Sequence, residues 1–432
     1  MSLNPDRSLS ETDESGLRKF GLSDFLVGNS KDPLEPPAVF TEWHREIEWA
    51  IELYEPQLLG PPEARTTLHY GGKPHAVINL CSYNYLGLAN HPDVIAAAHD
   101  ALSTHGLGAC GSPTLSGMTD LHRELESRMA DFLGFEDAML FNSGFGGALG
   151  AISGLMRKSD VAVMDNRSHL SLRDGAVLAR TRVERFEHND PASLDAALRR
   201  HKGKRRLVIA EGIYSMDGDF GQLDALIDVA EAHGASVFVD EAHSMLACGP
   251  TGRGAVEHFG VHKRVRMLYG TFSKAFGALG GFVAGSKDMI DYLRFYAHPY
   301  VYSCALPPVI VAAILKSLEL GRTRSELRTR LWQNARYFHS QLNALGVDTG
   351  NANTYILPIV IGDRERMHRL CHKLRQRGLW VAPVDYPAVP PDRTCFRACV
   401  TANHTRADLD EALNILSDTL LPARIPQLQH AH

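Results

Sequence analysis

Leu207-Val208-Ile209-Ala210 and Ser236-Val237-Phe238-Val239 are short apolar runs, and between them Leu223, Leu226, Ile227 and Ala230 recur at helical spacing until Gly234. Runs this apolar suit strands buried on both faces, the intervening period suits an amphipathic helix, and the glycine supplies its stop. Together they predict a strand–helix–strand unit with parallel strands. The same alternation continues on either side, with further strands predicted at Ala138–Phe141, Val161–Met164, Met267–Tyr269 and Gly281–Ala284. An α/β fold follows, a mostly parallel sheet flanked by helices.

At about 150 residues per domain, the length of 432 residues allows two or three packed units. Residues 1–76 read as an N-terminal arm, where Asp32-Pro33-Leu34-Glu35-Pro36-Pro37 and Gly60-Pro61-Pro62 bracket one amphipathic helix from Phe40 to Tyr54. Residues 77–308 read as the large domain. After Pro307-Pro308 a helical pattern runs to about Leu345, and a smaller α/β pattern follows at Ile356–Ile361, Arg364–Gly378, Leu379–Val381, Phe396–Val400 and Asp408–Leu421. That gives a smaller C-terminal α/β domain over residues 309–422 and a polar tail at 423–432.

Composition excludes several functions. The 45 basic and 50 acidic side chains leave a net charge of −5, which argues against nucleic acid as a partner, and Lys202-Gly203-Lys204-Arg205-Arg206 reads as a solvated turn. The most apolar run, Val309 to Leu315, lies between Pro307-Pro308 and Lys316. It falls far short of the ~20 residues a membrane helix needs, so no span is expected. Met1 to Ser30 is polar and acidic, without the basic-then-apolar order of a secretory signal, and a cytoplasmic location is expected. The seven cysteines are scattered without a Cys-x-x-Cys pair, which predicts reduced thiols and no metal site.

Four strand ends carry candidate chemistry. Ser143-Gly144-Phe145 follows one strand and opens a helix, where free backbone N–H groups can hold a phosphate; its glycines do not match a dinucleotide fingerprint, and no Gly-x4-Gly-Lys-Ser/Thr occurs. Asp240, in Val237-Phe238-Val239-Asp240-Glu241-Ala242-His243, ends a strand too apolar to be exposed. A carboxylate there needs a buried cation, such as a protonated ring nitrogen, unless it simply caps the next helix. Lys274, in Gly270-Thr271-Phe272-Ser273-Lys274-Ala275-Phe276-Gly277, lies among small and aromatic residues that desolvate an amine and make it a nucleophile and base. His169 follows another strand and can lay its ring on a flat cofactor. Ligands of open α/β sheets gather at the carboxyl ends of strands. A phosphate cradle, a stacking imidazole, a buried carboxylate and a lysine there describe a pyridoxal phosphate pocket.

With these residues in place, the chain resembles the α-oxoamine synthases, fold-type-I pyridoxal phosphate enzymes that join an amino acid to an acyl thioester with loss of carbon dioxide. The resemblance spans about Asn79 to Leu421. It is carried by Asn79-Leu80-Cys81-Ser82-Tyr83-Asn84-Tyr85-Leu86-Gly87-Leu88, Glu211-Gly212-Ile213-Tyr214-Ser215-Met216-Asp217-Gly218, Val239-Asp240-Glu241-Ala242-His243-Ser244, Gly270-Thr271-Phe272-Ser273-Lys274 and Arg397-Ala398-Cys399-Val400-Thr401-Ala402-Asn403-His404-Thr405. Tyr83, the Thr271-Phe272-Ser273-Lys274 wording and the stretch from His298 to Pro308 lean toward its serine palmitoyltransferase branch. One departure is Pro113, where the palmitoyltransferases and aminolevulinate synthases usually carry Arg; it falls in the loop Gly108 to Gly117 that borders the family's acyl site.

The resemblance implies that Lys274 holds the cofactor as a Schiff base and then serves as base. It implies that Asp240 keeps the ring nitrogen protonated, His169 stacks on the ring, and His243 and Ser215 approach the phenolic oxygen. Ser143, Gly144, Phe145 and Thr271 hold the phosphate, joined by Ser303 of a second subunit, while Arg397 grips the substrate carboxylate near Tyr83. A homodimer with a shared active site is implied, with serine or alanine as the favoured amino acid and the acyl group on coenzyme A or an acyl-carrier protein. A cofactor pocket does not select the reaction. An aminotransferase, an aldol-cleaving enzyme and a non-catalytic subunit of a heteromeric synthase are the alternatives.

Overall fold

The computed structural model describes residues 32–46, 53–385 and 388–420. The start of the arm, part of its expected helix and the tail at 423–432 lie outside the described residues. The helix itself is seen as Ala38–Glu46. Beyond it the arm also contributes strands β1 (Gln57–Leu58), β2 (Arg65–Tyr70) and β3 (Lys73–Asn79), β2 and β3 forming an antiparallel hairpin.

The large sheet holds β4 (Asp137–Phe141), β5 (Val161–Asp165), β6 (Arg182–Phe186), β7 (Arg206–Glu211), β8 (Ser236–Asp240), β9 (Met267–Thr271) and β10 (Gly281–Gly285), in the order β4-β10-β9-β8-β7-β5-β6. Only β10 runs against the rest, so the carboxyl ends of β4, β5, β7, β8 and β9 line up along one edge. Six of the seven strands are the apolar runs of the sequence. They are continuous because both faces are covered: Val163, Val208, Val239 and Leu268 enter one core, and Ala162, Ile209, Phe238 and Met267 the other. The seventh, Arg182-Val183-Glu184-Arg185-Phe186, is an edge strand whose charges blunt further pairing, and they also hide its strand character.

Packing does not follow the boundaries read from the sequence. Helix Pro308–Thr323 and the first half of helix Ser325–Ala344 send Val311, Ile314, Leu318 and Leu331 into the large-domain core. The second core begins at Phe338 and Leu342 and takes in Leu53 and Tyr70 from the arm and Ile78 and Leu80 just beyond it. It is roofed by β11 (Ile356–Val360), β12 (Leu379–Trp380), β13 (Ala382–Val384) and β14 (Cys395–Cys399). β3 pairs in parallel with β12, so the hairpin belongs to the C-terminal unit. Pro307-Pro308 misleads because proline opens a helix as readily as it ends a domain; Pro308 is the first residue of its helix. No helix among the described residues is long and apolar enough to cross a membrane.

Candidate active site

At the end of β4, Ser143 caps helix Gly144–Leu155, its Oγ accepting the Gly146 N–H at 3.0 Å. A Cβ on Gly144 would lie 2.6 Å from Thr271 Oγ1 and 2.9 Å from Thr271 Cβ, so only glycine lets the helix start close on the end of β9. Tyr269 Oη donates to the Gly144 carbonyl at 2.8 Å and fixes that approach. Thr271 Oγ1 lies 2.8 Å from the Gly280 carbonyl, and Phe145 stands 47% exposed at the first helical turn. Helix-start N–H groups lack intrahelical acceptors and carry the positive end of the helix dipole.

Beside this cradle lie two carboxyl groups, Asp240 ending β8 and Glu211 ending β7, paired in register and both buried. Asp240 Oδ1 accepts the Ala242 N–H at 2.8 Å, and Glu211 Oε1 accepts the His169 N–H at 2.5 Å. Burial raises the pKa of both; the charge of Lys274 pulls Asp240 back, and the charge of Asp240 raises Glu211 further. Burial lowers the Lys274 amine to about 8 against the opposing pull of Asp240 and Glu211. His169 caps helix Leu170–Leu178 with Nδ1 2.8 Å from Ser171 Oγ; burial and then Lys274 lower its pKa. His243 is buried and held well below its ordinary range by burial, Lys274 and His169. Tyr85 Oη lies 2.7 Å from its Nδ1.

Arg397 sits mid-strand in β14, buried, with its guanidinium 4.8 Å over the Tyr83 ring and Nη2 donating to the Tyr83 hydroxyl. Its Nη1 lies 3.9 Å from Met216 Sδ, and its buried Nε has no protein partner. The Tyr83 ring meets His243 edge-on at 5.9 Å, which joins this group to the lysine pocket. Ser215, next to Met216, is half-buried on a loop closed by Tyr214 N–H donating to the Asp219 carbonyl at 3.0 Å. At Gly218 (φ 68°) that loop presses on the Ile356 carbonyl, where a Cβ would overlap.

Behind the loop, His188 Nδ1 is 3.1 Å from both Asp165 oxygens and Nε2 is 3.0 Å from Asp219 Oδ2. Burial opposes its charge, but the two carboxylates lift its pKa to about 9. His188, Asp217 and Asp219 have the spacing of a metal site, yet the imidazolium has no lone pair to offer and Asp217 is paired with Arg167.

His169, Asp240, His243, Lys274, Thr271, Gly144, Tyr83 and Arg397 are thus brought together. Ser303 lies on the loop after helix His298–Val301, and no contact among the described residues joins it to them; nearby, Asn142 Nδ2 donates to the Cys304 carbonyl at 3.2 Å. Sequence reading gave no role to Glu211, Tyr85, Tyr269 or Met216. Only Glu211 had a signal, an acid closing an apolar run just as Asp240 does. A glycine-only cradle, a buried acid and a desolvated lysine at one sheet edge fit pyridoxal phosphate.

The model of the family described as aminotransferase class I and II matches residues 75–416. The 8-amino-7-oxononanoate synthase of Alkaliphilus metalliredigens is 40% identical over 362 residues, 83% of this chain and 91% of its own. The 8-amino-7-oxononanoate synthase 1 of Bacillus subtilis is 37% identical over 344 residues, 79% of this chain and 88% of its own. Among solved structures, serine palmitoyltransferase from S. paucimobilis with a bound PLP–myriocin aldimine matches with a TM-score of 0.84 at 33% identity, covering 88% of this chain and 96% of its own. The 8-amino-7-oxononanoate synthase of Francisella tularensis matches with a TM-score of 0.70 at 28% identity, covering 80% and 98%.

Proposed function

The chain belongs to the class I and II aminotransferase family and, within it, to the pyridoxal phosphate-dependent α-oxoamine synthases, and from that premise we propose that its amino acid is alanine. The amino acid is joined to an acyl thioester; carbon dioxide and thiol leave, and an α-amino ketone remains. The observation that supports alanine is the identity of about 40% to 8-amino-7-oxononanoate synthases across four-fifths of the chain. That product bears its amine on C8 and ends in the methyl C9, the two carbons alanine keeps once its carboxyl is lost. The other seven carbons make a pimeloyl group, the acyl unit we assign first.

Each residue then has a task. Pyridoxal phosphate, when bound, supplies an electron sink for the pair left at the α-carbon. Lys274 would be its covalent anchor, and its amine, lowered by burial to about 8, would be the base for the α-proton. Asp240 keeps the proton on the ring nitrogen. Glu211 holds the His169 backbone, from which the imidazole would stack on the ring. His243 and Ser215 serve the phenolic oxygen, and Ser143, Gly144, Phe145 and Thr271 serve the phosphate. Arg397 offers its free Nε–H and its fork to the substrate carboxylate, with Tyr83 holding the guanidinium in place. That grip sets which bond to the α-carbon lines up with the ring.

A second reading, serine with a long-chain acyl thioester, is favoured by Tyr83 and by an acyl loop without charge. Its Leu115 is 86% exposed, and Leu107 just before the loop is 74% exposed. Coenzyme A or a carrier protein delivers the acyl group in either case. Exposed Leu170, Val177, Phe295 and Tyr302 support a homodimer that brings Ser303 to the partner's phosphate. Steady-state rates with alanine and serine against pimeloyl and palmitoyl thioesters test the choice. Alanine with pimeloyl is expected to give the highest kcat/KM, and a preference for serine with palmitoyl would overturn it.

A further inference from the structure

His243 is gripped at both ends by tyrosines that no reading of the sequence assigned. Tyr85 Oη lies 2.7 Å from the ring Nδ1, and Tyr355 Oη donates to the main-chain carbonyl of the same residue. Both tyrosines are fully buried and their rings pack 4.6 Å apart, so neither phenol can turn to water. Trp332 braces Tyr355 edge-on at 5.3 Å and donates through Nε1 to the Ala247 carbonyl at 2.9 Å, which locks the turn that follows His243.

Proton counting settles the direction of the bond. A neutral imidazole has one N–H and one lone pair, and a phenol has one O–H. Burial keeps the Tyr85 hydroxyl protonated, and the neighbouring Cys399 thiol pushes the same way. If Nδ1 carried the imidazole proton, the phenol proton would be left with thiol sulfur, a weak acceptor. If the phenol instead donates to Nδ1, its proton meets a nitrogen lone pair and the imidazole proton sits on Nε2. A buried unpartnered donor is expensive, so the second arrangement is favoured.

We propose that Tyr85 is a positioning residue that holds His243 in the tautomer with its proton on Nε2, so that the imidazole presents a donor to the pocket. The inference rests on the placement of His243 beside the phenolic oxygen of the cofactor, an acceptor that a lone pair would repel. The tautomer itself is independent of which substrates are used.

The test is the imidazole nitrogen spectrum of the full-length protein labelled with 15N-histidine, recorded before and after loading with pyridoxal phosphate. The His243 signals are identified by their loss in His243→Gln. The expected result is an unprotonated Nδ1 and a protonated Nε2 in the unmodified chain. Tyr85→Phe should bring an Nδ1–H population into view and lower kcat of the loaded enzyme about tenfold with amino-acid KM unchanged. Tyr355→Phe, which also removes one hydroxyl from the same cluster, should leave the tautomer as it was. A protonated Nδ1 in the unmodified chain would overturn the proposal, and so would a Tyr85→Phe spectrum identical to it. Should Tyr85→Phe not fold, the spectrum of the unmodified chain decides alone. Absence of condensation with alanine alongside the expected spectrum would count against the substrate and leave the positioning role standing.

Discussion

Glu211, Asp240 and Thr271 each close a strand of one sheet, and His169 and Ser143 follow strand ends of the same sheet, whereas Arg397 lies in the separate β11-β14-β13 sheet, between the second-core residues Phe396 and Ala398, and Tyr83 sits on the loop after β3. The cofactor half is therefore one rigid body, in which neighbouring strands fix every spacing. The substrate half draws on two separate segments of the chain, and it meets the cofactor half through contacts that include Tyr83–His243 and Met216–Arg397. On the proposed reading the bond-forming chemistry is set by one sheet, while the grip on the amino acid draws on side chains from separate segments.

The largest effect should come from removing the anchor on the rigid side. Lys274→Ala is expected to lower the condensation rate by about 10⁴-fold or more, because nucleophile and base are lost together, and borohydride should no longer fix pyridoxal phosphate to the chain. Cofactor still trapped at full stoichiometry would break the assignment. Asp240→Asn should come next, with α-proton exchange slowed about 10²- to 10³-fold as the ring nitrogen loses its counter-charge. Unchanged exchange would remove Asp240 from that role.

On the substrate side, Arg397→Ala should raise the amino-acid KM about 10- to 100-fold and leave the acyl-donor KM where it was. Equal changes in both would erase the division between the two halves. Gly144→Ala returns to the rigid side. With a Cβ 2.6 Å from Thr271 Oγ1, cofactor affinity should fall about tenfold while the amino-acid KM stays put. The smallest effect is the pH dependence of cofactor attachment to the unloaded protein. The attacking amine must be neutral, so with Lys274 at about 8 the rate should rise about threefold between pH 7.5 and 8.5 and then level off. A rise continuing unchanged past pH 10 would mean an amine with an ordinary pKa.

The same division governs what could be read in advance. Strands covered on both faces advertise themselves as apolar runs, so β4, β5, β7, β8, β9 and β10 were legible and the residues just past their ends became candidates. The edge strand Arg182–Phe186 and the hairpin β2–β3 expose one face and carried no such signal. Asp240 and Lys274 stood out as charges among apolar neighbours. Arg397 and Tyr83 were reached only through resemblance, because a charge in a mid-chain strand has no local signature of what it faces. Tyr85 and Met216 were invisible for the same reason; their meaning lies in contacts with His243 and Arg397, more than 150 residues away along the chain.

The most direct test of the central claim supplies the loaded enzyme with alanine labelled at its carboxyl carbon and with a pimeloyl thioester. Labelled carbon dioxide, free thiol and an unlabelled α-amino ketone should appear in equal amounts, and Lys274→Ala should abolish all three. Retention of the label in pyruvate, with the thioester intact, would contradict the account and make the chain an aminotransferase.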